Sequence, residues 1–84
     1  MITSYTLARI FPAKEKEVYK KVNTLTEVKE VILIYGEYDL IIRGESESLN
    51  DLDHFIFNKL RTIDGIVATT TLIEAKPASF KCGS

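Results

Sequence analysis

The sequence predicts an α+β domain of order β-α-β-β-α-β, and three observations carry that expectation. Two strongly apolar runs, Val31 to Tyr35 and Tyr38 to Ile42, meet at Gly36-Glu37 in the pattern of a hairpin. Apolar residues recur at helical spacing on either side of it: Val18, Val22 and Leu25 before, and Leu49, Leu52, Ile56, Leu60 and Ile63 after. Extended segments then open and close the pattern, at residues 2–11 and 66–75.

Each element has its own signature. Residues 2–11 set Tyr5, Leu7, Arg9 and Phe11 on one side of a strand and Ile2, Ala8 and Ile10 on the other. Pro12 ends that strand and opens a helix over about residues 13–25, because proline is tolerated in a first turn. Val28 to Tyr35 and Tyr38 to Glu45 are the second and third strands. Gly36 suits the first position of a type II′ turn, which needs positive φ there. That two-residue loop pairs Tyr35 with Tyr38, Ile34 with Asp39, Leu33 with Leu40 and Ile32 with Ile41. Val31, Leu33, Tyr35, Tyr38, Leu40 and Ile42 then share one face, and Ile32, Ile34, Asp39 and Ile41 the other. Ser46 or Ser48 caps the second helix, with Asp51 and Asp53 near its positive end. Asp64-Gly65 closes it, and Thr69, Thr70 and Thr71 favour a last strand over 66–75.

Two right-handed βαβ crossovers sharing a central hairpin give the split-βαβ, ferredoxin-like fold: a four-stranded antiparallel sheet with two helices on one face. Residues 1–75 form this domain. Residues 76–84, which lose periodicity and hold Pro77 and Gly83, form a C-terminal tail.

Composition narrows the function. Eighty-four residues make one domain that buries only about two-thirds of its unfolded surface. Cys82 is the only cysteine, which fits a reducing, intracellular setting. No leader pattern opens the chain and no apolar run nears the roughly 18 residues of a membrane span, so the expected location is cytoplasmic. Eleven Lys/Arg against twelve Asp/Glu argue against direct nucleic-acid binding. Lys14, Lys16, Lys20 and Lys21 are offset by Glu15 and Glu17 and read as a solvated helix face. His54, the only histidine, lies opposite the Leu52/Ile56 stripe and should face solvent. No metal-spaced cluster, glycine-rich phosphate loop or nucleophile setting is visible, so neither catalysis nor a cofactor is expected.

Two helices cover one face of such a sheet, yet strands two and three are apolar on both. Each large side chain left wet forgoes roughly 1.5–3 kcal/mol. The simplest closed solution is a two-fold dimer with its sheets packed face to face. Asp39 stands out within this apolar setting, since an unpaired carboxylate is costly to bury. It either bonds the turn and meets water, or receives the ammonium of a small ligand.

These motifs resemble a known family. Gly36-Glu37-Tyr38-Asp39 after an apolar strand resembles the Gly-x-x-Asp signature of the effector domain of the Lrp/AsnC regulators. Gly65, Thr69 and Thr71 match that domain's Gly-Val-x-x-Thr-x-Thr pattern, and Phe11-Pro12-Ala13 resembles its Pro-Gly corner with alanine for glycine. The likeness spans about residues 2–75 and implies a stand-alone RAM domain, with no room for a helix-turn-helix before the first strand. It further implies facing-sheet dimers, a ring of four dimers, and an amino-acid effector held between neighbouring dimers. Carried over, Gly36 lets backbone approach the ligand and Asp39 accepts its ammonium. Tyr35 and Tyr38 wall the pocket, and Thr69 and Thr71 bond the carboxylate or backbone.

The leading expectation is an amino-acid-sensing and oligomerisation module that acts on transcription without touching DNA, through its own assembly or that of a full-length Lrp-type regulator. One alternative is an ACT-like amino-acid-binding module, which pairs edge to edge rather than face to face. Another is a small dimeric α+β barrel enzyme, for which the chain lacks a second histidine, any tryptophan and an acid-base pair.

Overall fold

A computed structural model describes residues 1–75 of the chain. The elements are β1 (Ile2–Ile10), α1 (Glu15–Asn23), β2 (Val28–Leu33), β3 (Leu40–Ser46), α2 (Leu49–Phe55) running into a π-helical turn over Ile56–Leu60, and β4 (Ile66–Ile73). The strands form one antiparallel sheet in the order β2-β3-β1-β4. This is the predicted ferredoxin-like arrangement. The expected tail over 76–84, with Cys82, lies outside the described residues.

Alternation along the two central strands defines the core. Ser4, Thr6, Ala8 and Ile10 of β1 and Leu40, Ile42, Gly44 and Ser46 of β3 are buried, while their odd-numbered neighbours are not. Val18 and Val22 of α1 close over them, with Leu52 and Phe55 of α2 and Ile56 and Leu60 of the π turn. Leu52, Ile56 and Leu60 therefore keep their predicted places, with Ile63 half-buried against them. Leu49 does not. Ser48 is the N-cap, its Oγ accepting from the Asp51 amide at 3.2 Å, so Leu49 falls in the exposed first turn beside Met1 and Ile73. Phe55 takes the inward position instead.

The π turn has a geometric reason. A stripe repeating every four residues drifts by about 40° per step around a 3.6-residue helix. The wider turn, closed by the Arg61 amide on the Ile56 carbonyl at 2.9 Å, absorbs part of that drift. Leu60 stays over the sheet, while Phe57 remains outside under the Arg61 guanidinium, 5.3 Å from its ring centre.

Helix α1 starts two residues later than the sequence predicts, because Pro12 and Ala13 form a corner rather than a first turn. The Lys14 amide bonds the Phe11 carbonyl at 3.0 Å, and Ala13 sits at φ +74. That left-handed conformation is one an alanine adopts at a cost. Glu15 and Glu17 in the first turn and Lys20 and Lys21 in the last complement the helix dipole. Gly65 fixes where β4 meets this helix: at φ +107, a Cβ there would lie 2.8 Å from Val18 Cγ2. Beside it, Lys14 Nζ reaches Asp64 at 3.0 Å, and that bond raises the Lys14 pKa.

The π turn is tied to the turn before β2 through a partly buried ion pair, Lys59 Nζ to Glu27 Oε2 at 2.7 Å. Burial pushes the Glu27 carboxyl up, but the bond from Lys59, the backbone amide and the ammonium's charge together hold it below its ordinary value. A carboxyl depressed by folding stabilises above its unfolded pKa, about 4.3, and that contribution is lost as pH falls through the folded value. Lys59→Met should cost about 0.5–1 kcal/mol near pH 7, since Lys59 is 40% exposed and solvent screens the pair. Urea unfolding at pH 7 and again below the carboxylate range checks this: the difference from wild type should close at low pH, and a constant difference would assign the loss to packing. Ala13→Gly should raise stability by about 0.5–1 kcal/mol by relieving the left-handed alanine, read as a higher urea midpoint with unchanged slope.

Candidate functional site

The β2–β3 hairpin carries most of the predicted site. Its register is the predicted one: Leu33 pairs with Leu40, Ile32 with Ile41, and the Ile34 amide bonds the Asp39 carbonyl at 3.0 Å. The predicted tight turn does not form. The strands end at Leu33 and Leu40, Tyr35 and Tyr38 are not paired, and the chain bends openly around Gly36 at φ +124.

The reason lies in what holds the third strand's start. The Asp39 amide bonds the Ala8 carbonyl at 2.9 Å, and Asp39 Oδ2 accepts from the Ile10 amide at 2.8 Å. Arg9 Nε donates to the Glu37 carbonyl at 3.0 Å. The β1–β3 ladder has run out at Ala8 and Leu40, so the Asp39 carboxylate supplies an acceptor that main chain no longer offers. These bonds draw residues 37–39 onto β1 and pull the loop open. Tyr38 is thereby moved off the face it is expected to share with Leu40 and Ile42, which the helices cover. Its hydroxyl meets Thr70 Oγ1 at 3.0 Å, and the Arg9 guanidinium lies 5.6 Å from its ring centre. Tyr35 projects fully into solvent.

The threonines divide by strand parity. Thr69 pairs with Ala8 and Thr71 with Thr6, so both point to the helix side, where the Thr6 and Thr71 hydroxyls lie 3.1 Å apart. Thr70 pairs with Leu7 and points to the open side, where it meets Tyr38. Within one chain, then, Tyr38 meets Arg9 and Thr70, and Asp39 binds the Ile10 amide nearby, while Thr69 and Thr71 lie on the other side of the sheet and Gly36 stands open at the loop. Arg9 and Thr70 were overlooked in the sequence. Their signal was present in the alternation, since Arg9 shares a side with Tyr5 and Leu7.

The open face is apolar with a charged centre. Tyr5, Leu7, Ile32, Ile41 and Leu72 lie on it, and Ile32 and Leu72 are 42% and 54% exposed. Arg43 crosses its middle, 3.3 Å from Glu30 and 3.6 Å from Glu45. At its edge the Tyr5 hydroxyl donates to Glu74 at 2.9 Å, which raises the phenol's pKa. A separate cleft of about 650 Å³ lies on the helix side between α1 and the π turn, lined by Lys21, Leu25, Lys59 and Ile63 among others. His54 is exposed, as expected, with Nδ1 2.8 Å from the Asn58 amide nitrogen. Among the described residues, no group of three or more His, Cys, Asp or Glu could hold a metal, and no helix is long and apolar enough to cross a membrane.

Comparison with known proteins bears on this arrangement. The model of the Lrp/AsnC ligand binding domain matches residues 7–78. The regulatory protein AsnC of Escherichia coli K12 is 40% identical over 53 residues, which are 63% of this chain and 35% of that protein. The chain spans about a third of the length of the curated relatives it matches. Among solved structures, that of FFRP-DM1 superposes with a TM-score of 0.86 at 43% identity, covering 89% of this chain and 100% of that one. The transcriptional regulator NMB0573 of Neisseria meningitidis, solved as a complex with L-Met, shares the fold (TM-score 0.82, 21% identity, 89% and 50% covered). With its sheet, hairpin and threonine strand in this arrangement, the chain belongs to the Lrp/AsnC family and carries that family's ligand-binding (RAM) domain.

Proposed function

We propose that the chain senses a small amino acid and couples it to oligomerisation, acting on transcription or amino-acid metabolism through assembly with a full-length Lrp-type regulator. The observation that carries this reading is the hairpin tip. Asp39 is held by the main chain of β1 through one carboxylate oxygen, which leaves the other for an ammonium, and the exposed backbone at Gly36 can be approached closely. The L-Met complex of NMB0573 supports an amino acid as the ligand class, since it is known of a protein with this fold. Relatives that are transcription regulators, not enzymes, support a regulatory role in the cytoplasm. Thr69 and Thr71, facing the helix side, would act by shaping the strand, while Tyr35 and Tyr38 would border the ligand from the loop. The open apolar face supports a homodimer with facing sheets, and further assembly into a ring of four dimers would bring neighbouring hairpins to the ligand.

Two Asp39 variants separate the carboxylate's structural and ligand roles. Asp39→Asn keeps an acceptor for the Ile10 amide and should fold with near-wild-type stability. Asp39→Ala leaves that amide unsatisfied and should cost about 1–3 kcal/mol. A thermal-shift screen against the twenty amino acids then tests the function, because a ligand at 100 times its dissociation constant adds about 2.7 kcal/mol. Stabilisation by one or a few amino acids, absent in Asp39→Asn, is the expected result. A blank screen on the folded oligomer, or binding unchanged in Asp39→Asn, would contradict it.

A further inference from the structure

At the hairpin end of the sheet, a cation and an anion are each held by main chain and do not pair. The β1–β3 ladder runs to Ala8 opposite Leu40; Arg9 follows on β1, and Asp39, just before β3, bonds the Ala8 carbonyl through its amide. Opposite charges that face each other across a sheet ordinarily bond. Arg43 of β3 follows that rule with Glu30, its partner on β2. Among the described residues, neither Arg9 nor Asp39 makes an ion pair.

Each is diverted to main chain instead. Asp39 Oδ2 takes the Ile10 amide at 2.8 Å, and Arg9 Nε is spent on the Glu37 carbonyl at 3.0 Å. The guanidinium rests against the Tyr38 ring, and Thr70 holds that ring by its hydroxyl at 3.0 Å. The terminal nitrogens of Arg9 and the second oxygen of Asp39 have no hydrogen-bond partner among the described residues. The result is a positive fork and a negative acceptor at the same end of the sheet, each tethered to main chain by one bond.

We propose that Arg9 is the carboxylate anchor of the effector site, and that Arg9 and Asp39 together select a zwitterion, an α-amino acid with both its amino and carboxyl groups free. This rests on the amino-acid reading above and adds to it the residue and the selectivity. A guanidinium fork matches a carboxylate with two parallel bonds, which a lysine cannot reproduce. Stacking on Tyr38 and the bond at Nε fix the fork before ligand arrives, so little freedom is lost on binding. It also replaces Thr69 and Thr71, which face the helix side, as the carboxylate's partner.

Titration calorimetry on the full chain tests this, first with the twenty standard L-amino acids, then with the carboxamide of the one bound best. Wild type should favour the free acid over its carboxamide at least tenfold. Arg9→Met should lose at least tenfold in affinity for the acid and bring the ratio near one, and Arg9→Lys should recover part of both. Should Arg9→Met fail to fold, Arg9→Gln and Arg9→Lys report the same ratio. Wild-type affinity with an unchanged acid preference in the Arg9 variants would overturn this assignment and leave amino-acid sensing standing. So would a variant altered only in its sedimenting mass, which would make Arg9 an interface residue. A wild-type chain that binds no amino acid would overturn both.

Discussion

Two helices can cover only one face of a four-stranded sheet, and most of this molecule's organisation follows from that constraint. The even-numbered residues of β1 and β3 are sealed under α1, α2 and the π turn, where Leu40, Ile42, Phe55 and Leu60 are almost wholly buried. The odd-numbered residues carry a second set of large side chains, Tyr5, Leu7 and Ile41, joined by Ile32 and Leu72 from the outer strands. A small domain has little stability to spare. An apolar face of this kind is the mark of an interface. Arg43 would not enter the proposed interface as an unpartnered cation, because Glu30 and Glu45 both bond it, although the three side chains together carry one net negative charge.

The hairpin is where the structure and the proposed function share residues. Asp39 extends the union of β1 and β3 beyond the end of their ladder, through its amide and one carboxylate oxygen. The same contacts set Tyr38 against Arg9 and Thr70 on the open side. A carboxylate fixed by backbone on one side is well prepared to receive a cation on the other. This also explains why the loop is not a tight two-residue turn: closing it would release residues 37–39 from β1.

Much of this was legible in the sequence. Element order, the hairpin register, the Ser48 cap and the two-sided apolar character of β2 and β3 all follow from period and propensity. What escaped was set by contacts distant in sequence. Nothing local in Gly36-Glu37 shows that Arg9, 28 residues away, will hold Glu37 and open the turn. The choice of Phe55 over Leu49 depended on where the helix axis crosses the sheet, and the π turn on reconciling a four-residue repeat with a 3.6-residue helix. The threonines divide in a way that motif matching does not show: Thr69 and Thr71 face the helix side, and strand parity makes Thr70 the open-side neighbour of the hairpin.

The most direct measurement is sedimentation equilibrium of the chain at micromolar concentration, run on wild type and on Leu72→Asp, which puts a charge on the open face without touching the helix-side core. Sheet-to-sheet association predicts that wild type sediments at twice the chain mass or a larger even multiple, and that Leu72→Asp shifts to monomer while keeping its secondary structure. A wild-type monomer with a stable fold, or a Leu72→Asp variant that assembles as wild type does, would contradict it.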